Sequence, residues 1–290
     1  MAQQKPLTPV ISILNMKGGV GKTTIAAHVF REAYRVLMKR TLLIDFDPQF
    51  NLTQTVMTRT RYEALQKNNK TILSVLEDQT PPTIFDICQP TTPAPDPATL
   101  ADRLKTLTKP DDGIYLDLIP GDFRLTKFAL ASNDKLLISA QKRFLEFIAK
   151  CREHYDLICI DCNPSSSFMT LCALHASTHL LVPVRPDRYS VLGLELLNQF
   201  IDQVPNLPKK PDMMILINGV SQRGGDPKVE TALRGHSVFG PATLANRLMS
   251  SKVLEARHDS IGFATDRKAP NKAAIMVKIR AVANEIGKRL

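Results

Sequence analysis

A chain of 290 residues, 43% of them hydrophobic, can bury one large core, and its length alone permits one domain or two. A net charge of +10 and a pI near 9.4 point to an anionic polymer or surface as partner. No apolar run approaches the ~20 residues that span a bilayer, the opening MAQQKPLTPV lacks the apolar core of a signal peptide, and no internal repeat is present, so spanning, secreted and solenoid classes are not expected.

The first element is an apolar run, Val10 to Leu14, followed by Lys17-Gly18-Gly19-Val20-Gly21-Lys22-Thr23-Thr24 and an amphipathic segment from Lys22 to about Met38. This reads as a strand, a phosphate-cradling loop and a helix. Gly18, Gly19 and Gly21 let backbone N–H groups curl around phosphate oxygens without Cβ interference, and the helix start adds the positive end of its dipole. Lys22 is placed to reach the terminal phosphates, and the Thr23 hydroxyl to ligate Mg²⁺. The strict phosphate-loop pattern wants glycine where this chain has Met16, and a second lysine, Lys17, stands inside the loop. In this deviant form the loop resembles the signature of the ParA/MinD class of ATPases. The resemblance implies that residues 17–24 bind ATP and that Lys17 crosses a dimer interface to touch the partner's nucleotide.

Thr41 to Ile44 is a second buried-strand run, ending in Asp45-Phe46-Asp47-Pro48-Gln49-Phe50-Asn51. Carboxylates at the end of a parallel strand project towards the ligand-binding edge of an α/β sheet. The segment resembles the family's DxDPQxN stretch, which implies that Asp47 positions the attacking water and that Asp45 lies nearer the metal and phosphates. Asp47 can also cap the turn towards Asn51, and the two roles are compatible.

Residues 81–110 hold seven of the chain's 20 prolines. That density forbids helix and central strand and reads as an extended surface loop, either a partner-binding insertion or a tolerated excursion from the family pattern. Residues 117–125, DLIPGDFRL, regain that pattern. Tyr155 to Ser165 then supplies another strand closing on an aspartate and resembles the family's Walker B strand, with Asp161 holding Mg²⁺ through its water shell. Asn163 stands where the first of two prolines is usual. Cys159 and Cys162 form a C-x-x-C, but three residues apart on a strand they face opposite sides, so buried inert thiols are expected.

His179 to Asp187, HLLVPVRPD, resembles the family's V-x-P-V-x-P-E strand and turn. In the helix that follows, Leu192, Leu196 and Phe200 fall at helical spacing and read as core. Asn218 ends an apolar strand, Met213 to Ile217, where this fold class often reads adenine; a strand-end cap is the alternative. Residues 201–290 carry 15 Lys/Arg against 8 Asp/Glu, +7 of the total charge. Lys209, Lys210, Arg223, Arg234, Arg247 and Lys252 are the candidates for DNA contact. The last helix, near 271–289, has Ile275, Ile279, Val282 and Ile286 on one face without an aromatic anchor, which favours core packing over a membrane surface.

Strand runs at 10–14, 41–45, 114–119, 156–161, 179–184 and 213–217 alternate with helical stretches near 22–38, 135–153, 167–176, 189–203, 227–235 and 271–289. The alternation predicts a doubly wound, mainly parallel α/β sheet covered on both faces, within a single domain over 1–290. The resemblance implies a cytoplasmic, bacterial, nucleoid-associated partitioning ATPase using ATP and Mg²⁺. It implies a homodimer with ATP, non-specific DNA binding and a ParB-like stimulating protein. The alternatives are a MinD-like membrane-associated ATPase, a metabolic ligase on the same fold, or an accessory factor for a specific DNA site.

Overall fold

The computed structural model describes residues 7–106, 113–165, 167–220, 227–254 and 261–290. The predicted strands appear as β1 (Val10–Ile13), β2 (Thr41–Phe46), β4 (Leu116–Ile119), β5 (Leu157–Cys162), β6 (His179–Val184) and β7 (Asp212–Ile217), joined at one edge by a two-residue β3 (Asp102–Arg103). They form one sheet in the order β3-β4-β2-β5-β1-β6-β7, in which only β3 runs antiparallel.

Strand periodicity divides the core. In β1, Val10 and neighbouring Leu14 feed one apolar cluster and Ile11 and Ile13 the other. In β5, Cys162 belongs to the first cluster and Cys159 to the second, so the two thiols lie on opposite faces as expected. Against the first face packs α7 (Asp134–His154), whose Phe144 stacks on Phe46 of β2 at 4.7 Å. Against the second lie α1 (Lys22–Val36) and α12 (Lys272–Gly287), with Ile275, Ile279, Val282 and Ile286 all buried. Each fully buried Ile or Val contributes roughly 1.5–3 kcal/mol, and the apolar stripe of the last helix is therefore not free for a membrane. Among the described residues no helix is long and apolar enough to cross one.

Three expectations need correction. Residues 51–76, where the sequence offered only a helix start near Asn51, form α2 (Asn51–Val56), α3 (Arg59–Lys67) and α4 (Leu73–Leu76). Helix α3 fully buries none of its residues, only Tyr62 and Leu65 packing partly on the second cluster, so its apolar period is short; it starts on Thr58, whose side chain accepts from Arg61 N–H. The proline-rich stretch is not all loop. It contains a single helical turn, α5 (Pro97–Leu100), with Pro97 in the first turn, where its missing N–H costs nothing, and Asp96 accepting from Ala98 N–H. It then supplies the edge strand β3, and Ala94, Leu100 and Leu104 are buried. Finally, α9 (Ser190–Asp202) turns Leu194, Leu197 and Ile201 inward and leaves Leu192 and Leu196 exposed. The helix carries two apolar rows; the sheet takes the one not singled out from the sequence, and of the row that was, only Phe200 packs partly on the core.

Candidate functional site

The turn after β1 is held by Asn15. Its Oδ1 accepts from Lys17 N–H at 2.9 Å, its Nδ2 donates to Pro183 O at 2.8 Å, and its carbonyl accepts from Lys22 Nζ at 3.1 Å. Lys22 Nζ also donates to Lys17 O at 3.3 Å, so in this chain the ammonium is wrapped by the loop's own carbonyls. A Cβ at Gly18 or Gly19 would meet nothing within 4 Å, which is the open backbone surface a phosphate needs. Gly21 is different. Its φ of 92° and a Cβ position 2.4 Å from Asn218 Nδ2 exclude any side chain there.

Asn218 braces the loop from the end of β7, donating to Val20 O at 2.7 Å. This explains its position without an adenine contact and favours the capping alternative.

β2 and β5 are neighbours in register, Asp45 beside Asp161, so the two acidic strand ends converge at the edge where the phosphate loop sits. Asp45 is fully buried and its Oδ2 accepts from Thr53 N–H (2.8 Å) and Thr53 Oγ1 (2.6 Å), while Thr53 Oγ1 in turn accepts from Gly121 N–H at 2.9 Å. Asp45 thus organises the start of α2, and the geometry argues against the metal role expected for it. Burial pushes its carboxyl up to about 7. Asp47 lines the cavity and accepts from Gln49 N–H at 2.9 Å, capping its turn while still facing the loop. Its carboxyl is raised by burial.

Asp161 is buried with neither oxygen in a well-formed hydrogen bond among the described residues. Burial, with Asp45 adding to it, holds its carboxyl well above the ordinary aspartate range, against the pull of the Thr23 hydroxyl. Burial lowers Lys22 as well, against the attraction of Asp161 and Asp47. Three raised carboxyls beside one lysine leave a shortage of positive charge, and an orphaned buried carboxylate beside a hydroxyl fits the water shell of a divalent cation. Thr23 and Asp161 are the residues that would hold it.

Asn163, the departure from the family pattern, donates to Ser165 Oγ at 2.7 Å and accepts from Ser167 Oγ and Thr170 Oγ1. Its side chain thereby organises the entry to α8 (Phe168–Ala176), the work a rigid proline would do by φ restriction.

The loop, Asp47, α2 and the 261–267 segment enclose a cavity of about 810 Å³. Sequence reasoning missed Asn15, Arg185, His28 and Arg267, the last three of which line it. His28, one turn after Thr24, is held neutral at about 4 by burial and by Arg31 and Arg267. Only the helical spacing from Thr24 could have indicated it. Lys17 also has an unforeseen contact: its Nζ pairs with Asp187 Oδ2, on the turn after β6, with the two side chains 55% and 36% exposed. That hydrogen bond lowers the Asp187 carboxyl.

The described basic candidates are spread over the fold. Lys209 and Lys210 precede β7, at the sheet edge opposite the phosphate loop, and pair with Asp212 and Asp202. Arg234 and Arg247 share Glu230, and Arg234 also donates to Leu244 O at 3.0 Å, which makes it a brace. Lys252 is exposed, and Arg223 lies outside the described residues.

With this geometry in place, the comparisons become specific. The AAA_31 family model, described as an AAA domain, matches residues 8–215. The chain belongs to this ParA-type family. The chromosome partitioning protein ParA of Myxococcus xanthus is 31% identical over 198 residues, 67% of this chain and 58% of its own length, so the match spans less than two thirds of that relative. The solved pNOB8 ParA aligns at TM-score 0.70 and 21% identity, covering 97% of this chain and 98% of its own, and its complex with nonspecific DNA aligns at 0.66 and 20%, covering 98% of each. An ATP complex of McdA from Cyanothece aligns at 0.66 and 17%, covering 97% and 96%. At such identities the structures establish the ParA fold around the loop described above.

Proposed function

We propose that the chain is a partitioning ATPase that binds Mg·ATP at residues 17–24 and dimerises face to face around two nucleotides. In that state it holds DNA non-specifically, and it releases the DNA on hydrolysis stimulated by a ParB-like protein. This reading places the protein in the bacterial cytoplasm, on the nucleoid. The observation that carries it is the unlike treatment of the two loop lysines. Lys22 is buried in the loop's own carbonyls, whereas Lys17 stands exposed at the lip and, among the described residues, pairs with a surface carboxylate. A metabolic ligase on this fold needs the first lysine and has no use for the second. The pNOB8 ParA solved on nonspecific DNA and the McdA solved with ATP support the same reading.

Within this scheme Asp47 orients the attacking water, Lys22 and the loop amides hold the phosphates, and the Asn163 network senses the terminal phosphate through α8. Mg²⁺ bound at Thr23 and Asp161 would supply charge neutralisation on the transferring group. Asp47→Ala is expected to bind ATP and dimerise normally while hydrolysing slowly, so that it lingers on DNA. Turnover at the wild-type rate would assign the water to another residue.

DNA binding measured with ATP, with ADP and without nucleotide tests the whole reading. Binding is expected with ATP alone, blind to sequence, and with a log K against log salt slope of about −0.9 per phosphate contacted. Lys252→Glu should flatten that slope and leave ATP affinity unchanged. No binding in any nucleotide state would point to a metabolic enzyme, nucleotide-independent binding would remove the ATP switch, and strong sequence selectivity would point to a border-binding factor.

A further inference from the structure

Strand order decides how charge is spread around the phosphate loop. On one side of β1 lies β5 with Asp161, and beyond it β2 with Asp45 and, on the turn that follows, Asp47. On the other side lies β6, and the first residue after it is Arg185, which lines the same cavity as Gly18, Lys22 and Asp47. The three acidic groups thus occupy one flank of the loop, and an arginine opens the other.

The two loop lysines are already engaged. Lys22 is wrapped by Asn15 O and Lys17 O, and Lys17 pairs with Asp187. Arg185 is exposed, and among the described residues its guanidinium makes no hydrogen bond or ion pair. It is nevertheless held in position. Its carbonyl accepts from Ser190 Oγ at 2.5 Å, and Ser190 Oγ accepts from Asp187 N–H at 2.9 Å, so the turn that carries it is closed on a buried serine. Asn218 N–H donates to Val184 O at 2.8 Å and brings the end of β7 against the start of this turn. There Gly219, at φ 68°, leaves room for the arginine. A Cβ on it would stand 2.9 Å from Arg185 Nε and 3.4 and 3.5 Å from Cγ and Cδ. The arginine stem therefore rests along bare backbone, which removes part of the rotamer freedom that a ligand would otherwise have to freeze out.

We propose that Arg185 contacts the phosphate chain of the bound nucleotide and clamps it from the β6 flank, opposite the divalent cation that Thr23 and Asp161 would hold. A guanidinium fork matches two phosphate oxygens at once, and the open backbone at Gly18 and Gly19 lets a phosphate approach it. This inference rests on the reading of residues 17–24 as a nucleotide site. It adds a contact that the loop pattern does not contain.

Calorimetric titration with Mg·ATP and with magnesium tripolyphosphate, which carries the phosphates without base or sugar, tests it. Arg185→Gln should weaken both ligands by a similar factor of at least about ten, the size of one lost charge-assisted contact. Arg185→Lys keeps the charge without the fork and should recover part of the loss. Arg188→Gln removes an equal charge from the same turn, where the guanidinium lies 4.7 Å from the Tyr189 ring, and should bind both ligands as the wild type does. Both arginines are exposed, so all three variants should melt with the wild type.

A loss confined to ATP would put Arg185 on the base or sugar. An equal loss in Arg188→Gln would make the effect one of distant charge, and unchanged affinity for both ligands would leave Arg185 without a contact. Arg185→Lys no better than Arg185→Gln, with lowered melting, would make the arginine a brace for Gly219. Each of these overturns the proposal while the nucleotide site stands. A wild type that binds neither ligand would overturn the nucleotide reading itself.

Discussion

Lys22→Ala should fail to bind ATP. The ammonium is the charge best placed for the terminal phosphates, and roughly two charge-assisted contacts of ~1.5–3 kcal/mol each are lost with it. Affinity should therefore fall by more than about a hundredfold. The carboxylates sharpen the effect. Asp47 and Asp161 lie within electrostatic reach of Lys22, and without it they face incoming phosphates unopposed. Lys22 also ties Asn15 O to Lys17 O, so a melting curve must show that the variant folds. Calorimetric titration of the folded variant with Mg·ATP is the deciding measurement, and unchanged affinity would remove the phosphate site from this loop.

The sequence revealed what has a period or a fixed chemistry. Buried strands such as β1 and β5 are apolar runs with an abrupt polar end, and their ends were located to within two residues. Gly21 could be assigned because a positive φ beside a phosphate has few other solutions. Helix α3 was hard to see because only Tyr62 and Leu65 pack on the core, and only partly, and the inward row of α9 lost to a rival row of equal apolarity. Asp45 shows a different limit. An aspartate at a strand end is the same letter whether it faces a metal or accepts from Thr53, and only the three-dimensional position of Thr53 and Gly121 separates the two. Lys209 and Arg234 were chosen for charge, but Arg234 is tied to Glu230 and to the Leu244 carbonyl, while Lys209 has only a loose, exposed pair with Asp212. Net charge survives such pairing as a property of the chain and does not identify which cation is free.

Lys17→Ala separates this reading from every ordinary phosphate-loop enzyme. The variant should keep nearly normal ATP affinity as a monomer, because Lys22 and the loop amides remain. It should lose ATP-dependent dimerisation, and with it DNA binding and stimulated hydrolysis, a cation supplied in trans being worth ~10³-fold or more in rate. The pair with Asp187 does not stand in the way: an ion pair this exposed contributes about 0.2–1 kcal/mol, so Lys17 leaves it easily for a partner's phosphate. Mixing tests the direction of action. In a tethered dimer of a Lys17→Ala subunit with a Lys22→Ala subunit, the one competent nucleotide site lies in the first, and the second supplies an intact Lys17 to it. Partial activity should return. If tethered wild-type dimers work and the mixed dimer stays inactive, Lys17 serves its own subunit. Its contact with Asp187 would then be the relevant one, and the face-to-face dimer would lose its chief support.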